Sequence, residues 1–345
     1  MHPAPRRAAF VLCALSLLPW LIQGQEPERA ATRFAAEVER LSEAEGAFDT
    51  DNLISNERSY LDVIPALMSA GASGGAYIGV GPDQNFSYIA RIRPRIAYII
   101  DVRRDNLLLH LLFKALYASA RSRIEYASLL TGRVVPARRD SWTGASVERI
   151  AAYIDSAERD AEWARHGRQR LERTIEGFGV PLTRADLDTI ARFHGEFIEA
   201  GLSLRFRSHG RAPRFYYPTL RELLLATDVG GRPWSYLASE DDFQFVRSLQ
   251  ARDALIPVVG NVSGPHDLRA IGSAIAARGE RVSAFYISNV ESYLFRDGQY
   301  ITFVENIRRL PRDRRAVMIR AIFGGAESVS EVAPMDDVVA HVTRP

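Results

Sequence analysis

Two glycines and one aspartate carry the chemistry most open to reading. Gly79 and Gly81 stand one residue apart at the end of a short apolar run, 76–80. Asp101 closes a second apolar run, 96–100. Glycine lets backbone come close to a ligand, and a following helix start offers free N–H groups to polar or negative atoms. A carboxylate at the end of the second strand can accept hydrogen bonds from ribose hydroxyls. Pro82-Asp83-Gln84-Asn85 continues the glycine turn with side chains suited to hydrogen bonding, and Arg103 follows the acid. Gly79, Gly81, Asp83, Gln84, Asn85, Asp101 and Arg103 are therefore the expected ligand-holding set. A simpler reading of the same residues is a tight strand-to-helix turn with Asp83 as the helix cap.

The ligand class can be narrowed. Gln84 fills the sixth place of the G-x-G-x-x-G dinucleotide fingerprint, and no phosphate-binding loop is present. Nicotinamide dinucleotides and nucleoside triphosphates are disfavoured. S-adenosylmethionine, with a ribose and an amino acid but no phosphate, suits the loop better. On the acceptor side, Asn261 and Ser263 follow one apolar run, and Ser288, Asn289 and Glu291 follow another. Open α/β sheets bind ligands beyond the carboxyl ends of their strands. Ser55-Asn56-Glu57 repeats the Ser-Asn-Glu theme, and helix capping is the alternative for both segments.

Other candidates are weaker. His110 and Lys114 lie four apart on an apolar helix, which favours a core position. His209, with Arg205, Arg207, Arg211 and Arg214 among aromatic residues, could form an anion or substrate loop. The seven histidines are dispersed, there is no H-E-x-x-H, and the one cysteine is Cys13, so no metal is expected. No G-x-S-x-G elbow supports a serine hydrolase. Asn85-Phe86-Ser87 and Asn261-Val262-Ser263 fit the glycosylation pattern but fall in the expected pocket.

These residues need a scaffold. The runs 76–80, 96–101, 255–260 and 282–287 read as buried strands, with 316–322 as the last strand. Helical spacing predicts helices over 26–48, from Ser55 onward, over 86–91, as one long helix over 107–130, and over 145–176, 184–200, 240–251, 266–278 and 300–309. Pro65 should kink or shorten the second of these. Strand, glycine loop, helix, strand implies a parallel sheet. The expectation is an α/β, Rossmann-like, doubly wound and mostly parallel sheet with a helical insertion and N-terminal helices. Its divisions are 1–24 signal peptide, 25–70 N-terminal helical segment, 71–130 first half of the sheet domain, 131–254 helical insertion, 255–325 second half, and 326–345 tail.

The chain has 345 residues, 47% hydrophobic and 25% charged, which suits a globular protein and excludes a disordered or multi-span one. Of 44 basic residues, only Lys114 is lysine, and the net charge is +2. So even a balance argues against a nucleic-acid partner, and the glycine turn and Asp101 make a small-molecule ligand the expected one. Arg6 and Arg7 precede an apolar run over 8–22 that is too short for a membrane span and has the proportions of a secretory h-region. Export through a cleaved leader is the expectation, with a cytoplasmic protein and a mis-assigned start codon as the alternative. Cleavage would remove both arginines, no acid and Cys13. The mature chain would be formally neutral, thiol-free and without a membrane span. Oligomeric state is not legible.

Four segments taken together are specific. GGAYIGVGPDQNFSYIA, AYIIDVRRDNLLLHLLFKAL, VVGNVSGPHDLRAIG and SAFYISNVESYLF resemble an uncharacterised bacterial protein family over most of residues 52–322. The resemblance implies a Rossmann-type fold like that of S-adenosylmethionine-dependent methyltransferases. Set against those enzymes, Gly79 and Gly81 match the first glycine motif, and Asp101 matches the ribose-binding acid. Tyr77 stands where an acid is usual, and Asp83 replaces a third glycine. The loop 261–264 is not an Asn/Asp-Pro-Pro-aromatic motif, which counts against methyl transfer to nitrogen.

Overall fold

The runs 76–80 and 96–101 become strands because they alternate nothing: every residue of β1 (Ala76–Val80) is buried, as is all of β2 (Ile96–Asp101) except its final aspartate. Strands buried on both faces are what a parallel sheet covered by helices requires. The computed structural model describes residues 26–48, 50, 52–208, 214, 216–324 and 327–341. The leader segment 1–24 lies outside them. The remaining strands are β3 (Leu255–Val259), β4 (Val282–Ser288), β5 (Arg312–Gly324) and β6 (Glu327–Pro334).

One six-stranded sheet results, in the order β3-β2-β1-β4-β5-β6. The first five strands are parallel, and β6 runs antiparallel along β5 over eight residue pairs. The fold is a Rossmann-like α/β fold with a doubly wound, mostly parallel sheet. Strand order reverses between β1 and β4, and ligands in such sheets bind at that crevice.

Helices from the 131–254 region cover one helix in particular. Arg104–Ser119 packs on β2 and β3 and is itself overlaid by Ala161–Glu176, Arg184–Ala200 and Glu240–Ala251. It is buried without interruption from Asn106 to Tyr117, which explains its lack of a polar face.

Several elements differ from expectation for identifiable reasons. The helix expected over 107–130 is two, Arg104–Ser119 and Arg123–Leu130. Ala120 and Ser122 take extended backbone between them, with the Ala120 carbonyl taken by Arg247 Nε at 2.8 Å and that of Arg121 by Gln244. The break lets Arg123 plug the interior, donating to the carbonyls of Leu237, Ala238, Thr143 and Ala145. The N-terminal helix ends at Leu41, short of residue 48. Pro65 does not kink a helix from Ser55. It occupies the first turn of Ile64–Ser69, where its missing N–H costs nothing. The last strand is β6, followed by the helix Met335–His341, so the stretch from 327 onward finishes the sheet.

Candidate functional site

The carboxyl ends of β1, β2, β3 and β4 open on a cavity of about 300 Å³. Its lining draws on Phe48 and Thr50, on Asn52 and 55–57, on the β1 turn and on Asp101 to Arg103, and its far side on 260–262, 288–290 and parts of 293–299. This is the reversal point of the sheet.

Of the residues singled out in the sequence, Gly81, Gln84, Asp101, Arg103, Asn261, Ser288 and Asn289 line the cavity. Gly79, Asp83, Asn85, Ser263 and Glu291 do not, and each has another partner. A Cβ on Gly79 would lie 1.9 Å from Asn85 Oδ1, so this glycine makes room for a neighbour, not for a ligand. Asn85 is a strut. Its Oδ1 accepts from the Tyr77 hydroxyl at 2.7 Å, and its amide donates to the carbonyls of Val80, Gly81 and Pro82. Asp83 makes no capping bond; it faces inward and accepts from the Tyr236 hydroxyl at 2.8 Å, and burial pushes its carboxyl up to about 6. Ser263 Oγ sits within hydrogen-bond distance of Asn261 Oδ1 and Gln299 Oε1, and its backbone N–H donates to Asn261 Oδ1. Glu291 is ion-paired with Arg320, which also holds Glu331 of β6. That pair fastens the helix Val290–Arg296 to the sheet edge, and neither Glu291 nor Asn289 caps the helix with its side chain.

Gly81 is the glycine the turn demands, at φ +81°. Its carbonyl is held from behind by His110 Nε2 at 2.9 Å. Burial holds the imidazole down to about 4, so it is neutral and structural. Lys114 is likewise internal, paired with Asp253 and lying over Phe34 and Phe178. Of the aromatic and arginine-rich loop, residues 209–213 and 215 lie outside the described residues, while Phe206 reaches the cavity.

Asp101 and Arg103 form one unit. Arg103 approaches with Nε 2.9 Å from Oδ1 and Nη2 2.7 Å from Oδ2, and its backbone N–H adds a third bond to Oδ1. Its Nη1 reaches the Thr50 carbonyl at 2.8 Å. Arg103 is thus buried, tying the strand end to the N-terminal segment.

The residue that sequence reasoning noticed but left out of the expected site is Glu57. It does not start a helix; its own N–H is held by Ser55 Oγ at 3.1 Å, and its carboxyl is fully buried against β4. Glu57 Oε1 accepts from the Tyr286 hydroxyl at 2.8 Å and from Ser288 Oγ, and Gln84 Nε2 donates to the Tyr286 oxygen at 3.1 Å. Ser288 carries a positive φ of 55°, an uncommon conformation for a non-glycine residue, at the lip of the cavity. Burial pushes the Glu57 carboxyl up to about 7, against the pull of its two hydroxyl donors. The Ser-Asn-Glu spelling shared by 55–57 and 288–291 hinted at this segment, without showing that the two meet.

Among the described residues, no group of three or more His, Cys, Asp or Glu is placed to hold a metal ion, and no helix is long and apolar enough to cross a membrane. A family model described as a domain of unknown function, DUF7790, matches residues 53–176 and 205–343. Comparison with curated proteins finds no match.

Proposed function

The chain belongs to the DUF7790 family, and we propose that it binds a nucleoside-type small molecule, of the S-adenosylmethionine kind, in the cleft at the β1/β4 reversal. The observation that carries the reading is the conjunction at one crevice of the Gly81 turn after β1 and the Asp101 carboxylate at the end of β2.

The lining fits the nucleoside half of such a ligand. Asp101 Oδ2 accepts one bond from Arg103, so it retains an acceptor position for a ribose hydroxyl. Val102, Val262 and Phe48 supply apolar surface for a base. The amides of Asn52, Asn56, Asn261, Asn289 and Gln299 can read hydroxyl and ring nitrogen atoms. A cavity of about 300 Å³ stands at the lower end of the range for small-molecule sites. S-adenosylmethionine, when bound, would supply an electrophilic methyl group. The substrate side then consists of Asn261, Ser288 and Asn289.

Calorimetry with S-adenosylhomocysteine tests the reading. Binding in the micromolar to millimolar range, weakened on Asp101→Ala, supports it. No heat at millimolar ligand would overturn it.

A second reading is a binding protein on a degenerate methyltransferase-like core, exported through its leader. It is favoured by the Asp101–Arg103 clamp, which neutralises the acid and leaves it fewer acceptor positions for a ribose. Mass spectrometry of ligands retained through native purification separates the two, because a retained S-adenosyl nucleoside contradicts the second.

A further inference from the structure

Two acceptor atoms of the cleft have no donor. Glu57 Oε2 and Gln84 Oε1 are buried and without a hydrogen-bond partner, and both side chains line the cavity. Their other atoms are committed. The single Tyr286 hydroxyl proton goes to Glu57 Oε1, so Gln84 must meet the Tyr286 oxygen with its N–H₂ and keep its own oxygen unbonded. Ser288 Oγ also donates to Glu57 Oε1, with Asn289 Oδ1 a longer contact at 3.3 Å. Glu57 therefore receives two neutral hydroxyl donors and no cation. The two arginines of the cleft are turned elsewhere, Arg103 onto Asp101 and Arg296 onto Asp297.

A buried carboxylate without a counter-charge is costly, and so is a buried amide oxygen without a donor. A primary ammonium answers both, with three N–H donors, no acceptor and a positive charge. We propose that this corner of the cleft holds the ammonium group of an amine-bearing ligand, with Glu57 Oε2 and Gln84 Oε1 as its acceptors. The inference rests on the cleft being a ligand site and adds the substrate class. Glu57 bonds to β4, whereas Asp101 ends β2 with β1 between them, so the amine belongs to a group distinct from the ribose. Held by a carboxylate, the ammonium is a handle that orients its molecule and not the atom that reacts.

The groups facing Glu57 are few. Tyr286 and Ser288 come from β4, Tyr77 from β1, and Gln84 and Tyr88 from the helix Gln84–Ile92. The three phenols are pushed well above their ordinary range by burial, so they stay neutral. Across the cavity the Asp101–Arg103 pair sums to zero. Glu57 alone sets the charge of its corner.

The matched probes are 2-phenylethylamine and 2-phenylethanol, which differ only in the ammonium and whose ring suits the Phe48 and Tyr293 wall. Saturation-transfer NMR on the intact protein should show the amine binding about tenfold or more tightly than the alcohol. Glu57→Gln should erase the difference, with folding checked by circular dichroism. In the unaltered protein, amine affinity should rise as pH increases through about 7, as Glu57 ionises. Equal binding of amine and alcohol, no binding of either, or a preference that survives Glu57→Gln and is flat in pH would overturn the proposal. Amine selectivity in a protein that ignores S-adenosylhomocysteine would leave this inference standing and sink the nucleoside reading alone.

Discussion

Replacing Glu57 by glutamine should change how stability depends on pH, by an amount set by burial. The carboxyl titrates near 4.5 in an unfolded chain and about 7 when folded, because no cation offsets its removal from water. Between those values the native protein holds a proton that the unfolded chain has released. Stability conferred by that proton is fully present below about pH 4.5 and is lost as pH rises through about 7. At about 1.4 kcal/mol per pH unit, a shift of that size is worth on the order of 3 kcal/mol. Glutamine keeps acceptors for Tyr286 and Ser288 and does not titrate. Asp83 and Asp267, raised to about 6 and about 7, add their own slopes, but equally in both proteins, so the difference isolates Glu57. The assay is urea denaturation of both proteins from pH 4.5 to pH 8. Glu57→Gln should gain about 3 kcal/mol relative to the parent across that window. A difference that is constant in pH would show that Glu57 is solvated or charge-compensated, and the argument from its bare oxygen would fail.

Three further outcomes follow from packing. Gly79→Ala drives a methyl into Asn85 Oδ1 and the Tyr77 ring and should cost about 3 kcal/mol, read as a lowered Tm; an unchanged Tm would refute the strut role of Asn85. Arg123→Met leaves four carbonyls and Glu240 without their donor and should cost about 3–5 kcal/mol, and Arg123→Lys should recover only part because it lacks the planar fork. Deleting residues 327–345 bares the β5 edge and should raise aggregation in light scattering at concentrations where the full chain stays monodisperse.

How much of this was legible differs by element. The central strands were plain, because a parallel strand buried on both faces spells an unbroken apolar run. β6 was not, because Ser-Val-Ser-Glu-Val is mostly polar, neither an unbroken apolar run nor a clean alternation, and none of it is fully buried. The break at Ala120 lay hidden inside a continuous helical pattern; its cause is Arg123, whose partners lie up to 117 residues away. Gly79 and Gly81 look alike in sequence and do opposite jobs, one yielding space to Asn85 and the other adopting a positive φ at the cavity. Asp101 was found at the right strand end, but its pairing with Arg103 depends on side-chain direction. Glu57 was noticed only as part of a Ser-Asn-Glu spelling that also fits a helix cap, since its meaning comes from two hydroxyls on a strand formed much later in the chain.

That last separation has a consequence in time. Glu57 and Tyr286 are 229 residues apart, and β1 and β4, side by side in the sheet, pair Ala76 with Val282, also far apart in sequence. At roughly 5–20 residues per second of synthesis, Glu57 leaves the ribosome on the order of ten to fifty seconds before the hydroxyls that will cover it. During that interval its carboxyl is hydrated and charged. The cleft is a seam rather than a pocket in a finished half, and closing it is the step at which that carboxyl gives up its water.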